Sequence, residues 1–160
     1  MTGGMTRSQR YSLLLLRLTL GWTFFYAGIT KVIDPSWSAA GFLAEAKTFV
    51  PLYSWLASPG ILPVTNALNA WGLTLIGAAL ILGIAVRFSS FMGMLVMALY
   101  YLPNLDFPYP NAHAYLVDEH VVYAIGLLVL AMFHAGRIWG LGHILAWFPL
   151  FNRFRRTLTR

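Results

Sequence analysis

Cysteine is absent from this chain of 160 residues. Its absence excludes disulfides, thiolate metal sites, iron–sulfur clusters and persulfide chemistry. Charge is scarce as well: 10% of residues are charged, where a soluble domain carries about 25%. That scarcity rules out charged coiled coils and acidic disordered tails, and no glycine period supports a collagen helix. What is abundant is apolar side chain, at 59%, more than a water-soluble chain this short can bury. The composition therefore implies an all-α integral membrane protein. A formal net charge of +6 does not point to nucleic acid, because the basic residues gather at helix ends and tails and form no stripe.

A spanning helix needs about 20 mainly apolar residues to cross about 30 Å of hydrocarbon. Four stretches approach this, running from about Tyr11 to Ile33, Val64 to Val86, Phe88 to Leu102 and Leu116 to Ile138. The first is too long for a cleaved secretory signal, and Thr30, Lys31 and Val32 make a poor cleavage site. The third is the shortest, and crosses only with a thinned bilayer, a tight turn, or aromatic anchoring at Tyr100 and Tyr101.

Four crossings put both termini and the turn at Arg87 on one side. That side collects Arg7, Arg10, Arg17, Arg87, Arg137, Arg153, Arg155, Arg156 and Arg160. The other side receives Lys31, Lys47 and every acid: Asp34, Glu45, Asp106, Asp118 and Glu119. The split predicts a multi-pass protein of the plasma or inner membrane with cytoplasmic N- and C-termini. Residues 1–160 then form a single transmembrane domain, a four-helix bundle with the lipid bilayer as its first partner.

Between the first two spans, Phe42, Glu45 and Phe49 stand at helical spacing and predict one short helix over Gly41 to Phe49 in the outer interface. Trp37, Tyr53 and Trp55 would anchor it at headgroup depth. The outer loop from Pro103 to Tyr115 is also rich in proline and aromatics, so the two segments could make a lid. After Arg137, residues 139–160 read as an amphipathic cytoplasmic helix on the anionic inner leaflet. Small residues, Gly21 with Gly28, Ala79 with Gly83 and Ser89 with Gly93, predict close helix packing.

Polar groups inside membrane helices are unfavourable and invite a reason. Arg17 either snorkels to the cytoplasmic boundary or faces inward, as one of a pair or at an anion site. Toward the outer boundary, Lys31 and Asp34 are three apart and suit a local ion pair, and Asn66 and Asn69 repeat that spacing at the same depth. The start of the fourth span adds Asp118, Glu119, His120 and Tyr123. Together these groups form either a solvated collar that caps helix ends or a pocket in which Glu119 and His120 exchange protons with a ligand. Among the four histidines, His120 and His134 lie about 21 Å apart along one helix and cannot share a porphyrin. His113, Asp118, Glu119 and His120 match no tight metal-ligand spacing, so neither haem nor metal is expected. His134 and His143 read as interfacial or packing residues.

The run from Arg17 through Gly21 and Gly28 to Lys31, followed by Asp34 and Pro35, resembles the opening helix of the DoxX/DoxD family. Val117, Asp118, Glu119 and His120, leading into an apolar span, resemble its last helix. The resemblance covers roughly Tyr11 to Gly136. The family includes DoxD, the small membrane subunit of thiosulfate:quinone oxidoreductase, and relatives without an assigned activity. It implies a membrane component that passes reducing equivalents to quinone, with Arg17, Lys31 and Glu119 as the polar positions that matter. The thiosulfate enzyme's larger subunit is not in this chain, so electrons would come from a redox partner protein or a small reductant. On this expectation Glu119 and His120 are catalytic, and Arg17, Lys31, Asp34, Asn69, Asp118 and Tyr123 bind the ligand. The rival expectation is a non-enzymatic membrane anchor or assembly factor whose arginine tail docks a soluble partner. A solute channel is disfavoured by the lack of an inverted repeat or a polar stripe through the second and third spans.

Overall fold

The structure is a computed structural model and describes residues 4–142. Among the described residues there are six α-helices, α1 Arg7–Ile33, α2 Ala40–Ala44, α3 Val50–Leu56, α4 Leu62–Leu82, α5 Val86–Asn104 and α6 Glu119–Met132, followed by a 3₁₀ turn at Ala135–Arg137. Among the described residues there is no strand, only isolated bridges pairing Asp106 with Tyr109 and Asn111 with Ala114. The expected tail helix over 139–160 lies outside the described residues from position 143 onward.

Helices α1, α4 and α5 are each long and apolar enough to cross a membrane. The fourth apolar run is shorter than its hydropathy suggested: α6 has 14 residues, or about 21 Å of rise. Its limits are set by backbone that hydropathy does not see. Leu116 and His134 adopt φ of 59° and 51°, a left-handed conformation that interrupts a right-handed helix on either side. Asp118 starts α6 as its N-cap, its side chain accepting from the amides of His120 and Val121. At the end of α4, Gly83 at φ 71° lets the amides of Gly83 and Ile84 satisfy the carbonyls of Leu80 and Ala79, as glycine does at helix C-termini.

The long helices alternate in direction, since the end of α1 meets the start of α4, the end of α5 and the start of α6. Helix α1 packs most extensively on α4, and α5 on α6. Small residues allow the first contact: a β-carbon on Gly28 would lie 2.5 Å from the Thr74 hydroxyl, and one on Gly77 2.5 Å from the α-carbon of Phe25. The expected Gly21 and Gly28 do meet α4, whereas Gly77, their counterpart on α4, was not foreseen. The shared core contains Leu20, Phe24, Leu73, Leu80, Met97, Leu127 and Leu130, drawn from all four long helices.

A second, smaller core of Ala39, Leu43 and Tyr53 lies where α2 and α3 cover the ends of α4 and α5. The single interfacial helix expected over Gly41 to Phe49 is instead two, because Phe49 at φ 50° breaks the chain and begins α3. Tyr53 is not a headgroup anchor, being 1% exposed. Its position has a backbone cause. Pro103 lacks an amide hydrogen and so leaves the carbonyl of Leu99, one turn earlier in α5, without its helical donor. The Tyr53 hydroxyl donates to that carbonyl at 3.1 Å. The Lys47 amide donates to the Pro103 carbonyl at 2.8 Å and the Thr48 hydroxyl to that of Leu102. The α2–α3 segment therefore caps the C-terminal end of α5.

Candidate functional site

The convergence of four helix ends beneath this cap gathers polar side chains that are far apart in sequence. Lys31, near the end of α1, donates from Nζ to Asn69 Oδ1 on α4 and to the Tyr100 hydroxyl on α5, each at 3.1 Å. The Tyr100 hydroxyl donates in turn to Asn69 Oδ1 at 2.8 Å. The ammonium also lies 4.9 Å from the ring centroid of Trp37 and 5.4 Å from that of Tyr100, within range of cation–π attraction. Among the described residues no carboxylate contacts Lys31, so its charge is held by neutral oxygens and ring faces.

Tyr100 links this node to α6. Its ring meets that of His120 edge to face, with centroids 5.9 Å apart, and meets Phe42 at 5.5 Å. His120 Nδ1 lies 2.7 Å from Asp118 Oδ2. A carboxylate only accepts, so Nδ1 carries the hydrogen and Nε2 is left to accept or release a proton. Asp118 is itself 6% exposed and fixed by the amides at the start of α6. This is the arrangement by which a carboxylate orients a general-base imidazole. One ligand atom each from Asp118, Glu119 and His120 also fall within 4.8 Å of one another. Within the group, Asp118 Oδ1 accepts from the amides of His120 and Val121 and Oδ2 from His120 Nδ1.

The structure divides the residues singled out from sequence. Lys31, Asn69, Asp118 and His120 are brought together through Tyr100, and Tyr123 packs against the hydrophobic core. Glu119 is exposed at the first position of α6, outside the node. Asp34 does not form the expected pair with Lys31. It lies past the last turn of α1 and accepts from the hydroxyl and the amide of Ser36, bonds that hold its carboxyl below the usual range. Asn66 serves the cap, accepting from the Ala39 amide and donating to Ser38. Tyr100, expected to anchor the third span, turns inward as the centre of the node.

Arg17 belongs to the other end of the molecule. It is 1% exposed, and its Nη1 donates to the carbonyls of Ala135 at 2.7 Å and Ile138 at 2.8 Å. Snorkelling is thus replaced by an inward clamp on the turn after α6, and Arg17 makes no contact with Lys31 or its partners. Nearby, His134 sits 3.5 Å from Arg87 and bonds the Met132 carbonyl. His143 lies outside the described residues.

Comparison with known proteins adds one finding. A family model described as DoxX matches residues 12–104, more than half of the chain. The matched segment contains Arg17, Lys31, Asn69 and Tyr100 and ends before Asp118 and His120. No curated protein and no solved structure matches the chain.

Proposed function

The chain belongs to the DoxX family, and on that premise we propose that it is the membrane component of a quinone-linked redox system, a four-helix bundle with cytoplasmic termini. The observation that carries this reading is the Lys31, Asn69 and Tyr100 node with the Asp118 and His120 dyad beside it. A quinone becomes a quinol by taking up two electrons and two protons. In this reading the electrons come from a reduced partner protein or a small reductant, because the chain has no cysteine to carry them. Lys31 stabilises the negative charge that develops on a carbonyl oxygen of the headgroup. His120, oriented by Asp118, takes up a proton at Nε2 from water and passes it to the headgroup, once for each of the two protons, and exposed Glu119 exchanges protons with water at the same helix end. Arg17 and Asp34 have no part in this step, since neither contacts the node.

Quinone extracted from the purified protein provides the test. The wild type is expected to carry quinone, and Lys31→Met and His120→Gln to lose it or its turnover. Glu119→Gln is expected to slow turnover with quinone still bound. If activity in cells survives both Lys31→Met and Glu119→Gln and is lost on deleting residues 153–160, the chain acts instead as an anchor for a soluble partner.

A further inference from the structure

Helices α5 and α6 run antiparallel in a register that two contacts fix. A β-carbon on Gly93 would lie 2.7 Å from a methyl of Leu127, and seven positions further along each helix the ring of Tyr100 meets that of His120. Continued by four positions, the register sets Leu116 opposite Asn104, the last residue of α5. Helix α6 starts only at Glu119, so residues 116–118 accompany the last turn of α5 as irregular backbone. The Tyr101 hydroxyl pins them there, donating to the Leu116 carbonyl at 2.7 Å.

Helix α5 is long and apolar enough to cross a membrane, and what lies beside its last turn lies at the edge of the bilayer. We propose that the α5–α6 loop is a lipid-docking surface, with Phe107, Tyr115, Leu116 and Val117 seated where headgroups meet acyl chains in the leaflet at the Lys31 end. This rests on α5 crossing the bilayer and is independent of the quinone reading. All four side chains are exposed, and no Asp, Glu, Lys or Arg occurs from Phe107 to Val117. Apolar exposure continues onto α6 at Val122 and Ile125. Glu119, exposed at the start of α6, sets the depth at the boundary, where water still reaches a carboxylate and aromatic rings are favoured.

The backbone of the loop fits the same occupant. Peptide groups taken into lipid must be paired within the protein, whereas water pairs those of a solvated loop. Here the pairing is internal. Asp106 and Tyr109 exchange both amide–carbonyl bonds, and the amides of Ala114, Leu116 and Val117 donate to the carbonyls of Asn111, Pro108 and Tyr115. Pro108 and Pro110 have no amide hydrogen to satisfy. Charge is kept to the margins: Asp106 lies 3.6 Å from Lys47, between α2 and α3, and Asp118 is turned inward at 6% exposure.

Because the chain has no cysteine, a single introduced thiol can carry a nitroxide on the full chain in phosphatidylcholine nanodiscs. Phe107→Cys and Val117→Cys sample the docking surface, and His113→Cys samples the polar turn of the same loop. All three positions are exposed, so the substitutions remove no core contact. Spin labels at 107 and 117 are expected to collide more with oxygen, which concentrates in lipid, than with a water-soluble nickel chelate, and the label at 113 to show the reverse. Collisions dominated by the nickel chelate at 107 and 117 would put the loop in water and overturn the proposal. Weak collision with both reagents there would put it against protein and overturn it equally. The wild type gives a reading without substitution, in bilayers whose acyl chains carry a diazirine: carbene adducts are expected within residues 107–117, and adducts on α6 with none in the loop would refute the docking.

Discussion

Helix α1 carries two inward-facing cations, Arg17 and Lys31, fourteen positions or about 21 Å apart, and they are held in opposite ways. Arg17 is enclosed at 1% exposure and bonded to backbone carbonyls of the turn after α6. Lys31 is partly buried and bonded to side chains, an amide and a phenol, which also bond each other. Arg17 Nη1 bridges two buried carbonyls of that turn, so the arginine contact ties one helix to another. The lysine's partners are satisfied without it, so a ligand oxygen can take a share of its hydrogen bonds. The comparison separates a cation that ties two helices together from one that, under the proposed function, meets the ligand.

Unfolding free energy is the scale on which that separation can be broken. The largest loss is expected for Arg17→Met. It removes the Arg17 donor from the buried Ile138 carbonyl and leaves the Ala135 carbonyl with the Ile138 amide alone, at about 1–3 kcal/mol for a stranded acceptor, so a loss of about 2 kcal/mol should appear in denaturant titration of the protein in mixed micelles. If Arg17→Met unfolds like the wild type, the clamp is incidental and the two ends differ less than the geometry implies.

Tyr53→Phe comes next, at about 1.5 kcal/mol, because it orphans the Leu99 carbonyl that Pro103 already left without a helical donor. Pro103→Ala restores an amide at that point. Tyr53→Phe in that background should therefore cost clearly less, and a double-mutant cycle with no coupling would remove Tyr53 from the capping scheme.

These two residues also show what the sequence made legible. Hydropathy and the split of arginines from acids located the long helices and the level at which Lys31, Asn69 and the start of α6 meet, because those signals belong to side chains. Arg17 was visible as an anomaly, but its partner was not: the acceptors are carbonyls more than a hundred positions away, and a carbonyl carries no residue identity. Tyr53 and Tyr100 read as interfacial anchors because an aromatic near a helix end looks alike whether it faces lipid or protein. A signal did exist for Tyr100, which continues the inward line of Ser89, Gly93 and Met97 at helical spacing. The ends of α6 were hidden for another reason: nothing in the side chains of Leu116 or His134 announces a left-handed backbone.

On the lysine side the first perturbation is Asp118→Ala, expected to lower stability by about 1 kcal/mol through loss of the N-cap of α6. Asp118→Asn can keep the cap while losing the charge opposite His120 Nδ1. Stability close to wild type with a changed pH dependence of turnover would assign the carboxylate to orienting His120. Equal behaviour of the two variants in both measurements would reduce Asp118 to a cap.

The smallest change in stability is expected for Lys31→Met, below about 0.5 kcal/mol, in line with the weak net worth of polar contacts inside membrane bundles. The substitution gives up the ammonium's contact with the Trp37 ring, and the Tyr100 hydroxyl continues to donate to Asn69. No buried acceptor is stranded. Turnover and bound quinone should nevertheless fall sharply, which is the combination Arg17→Met cannot produce, since its effect on activity must follow its effect on folding. If Lys31→Met instead destabilises the protein as much as Arg17→Met, the ammonium is a second staple, and the chemistry assigned to its end of the bundle loses its central residue.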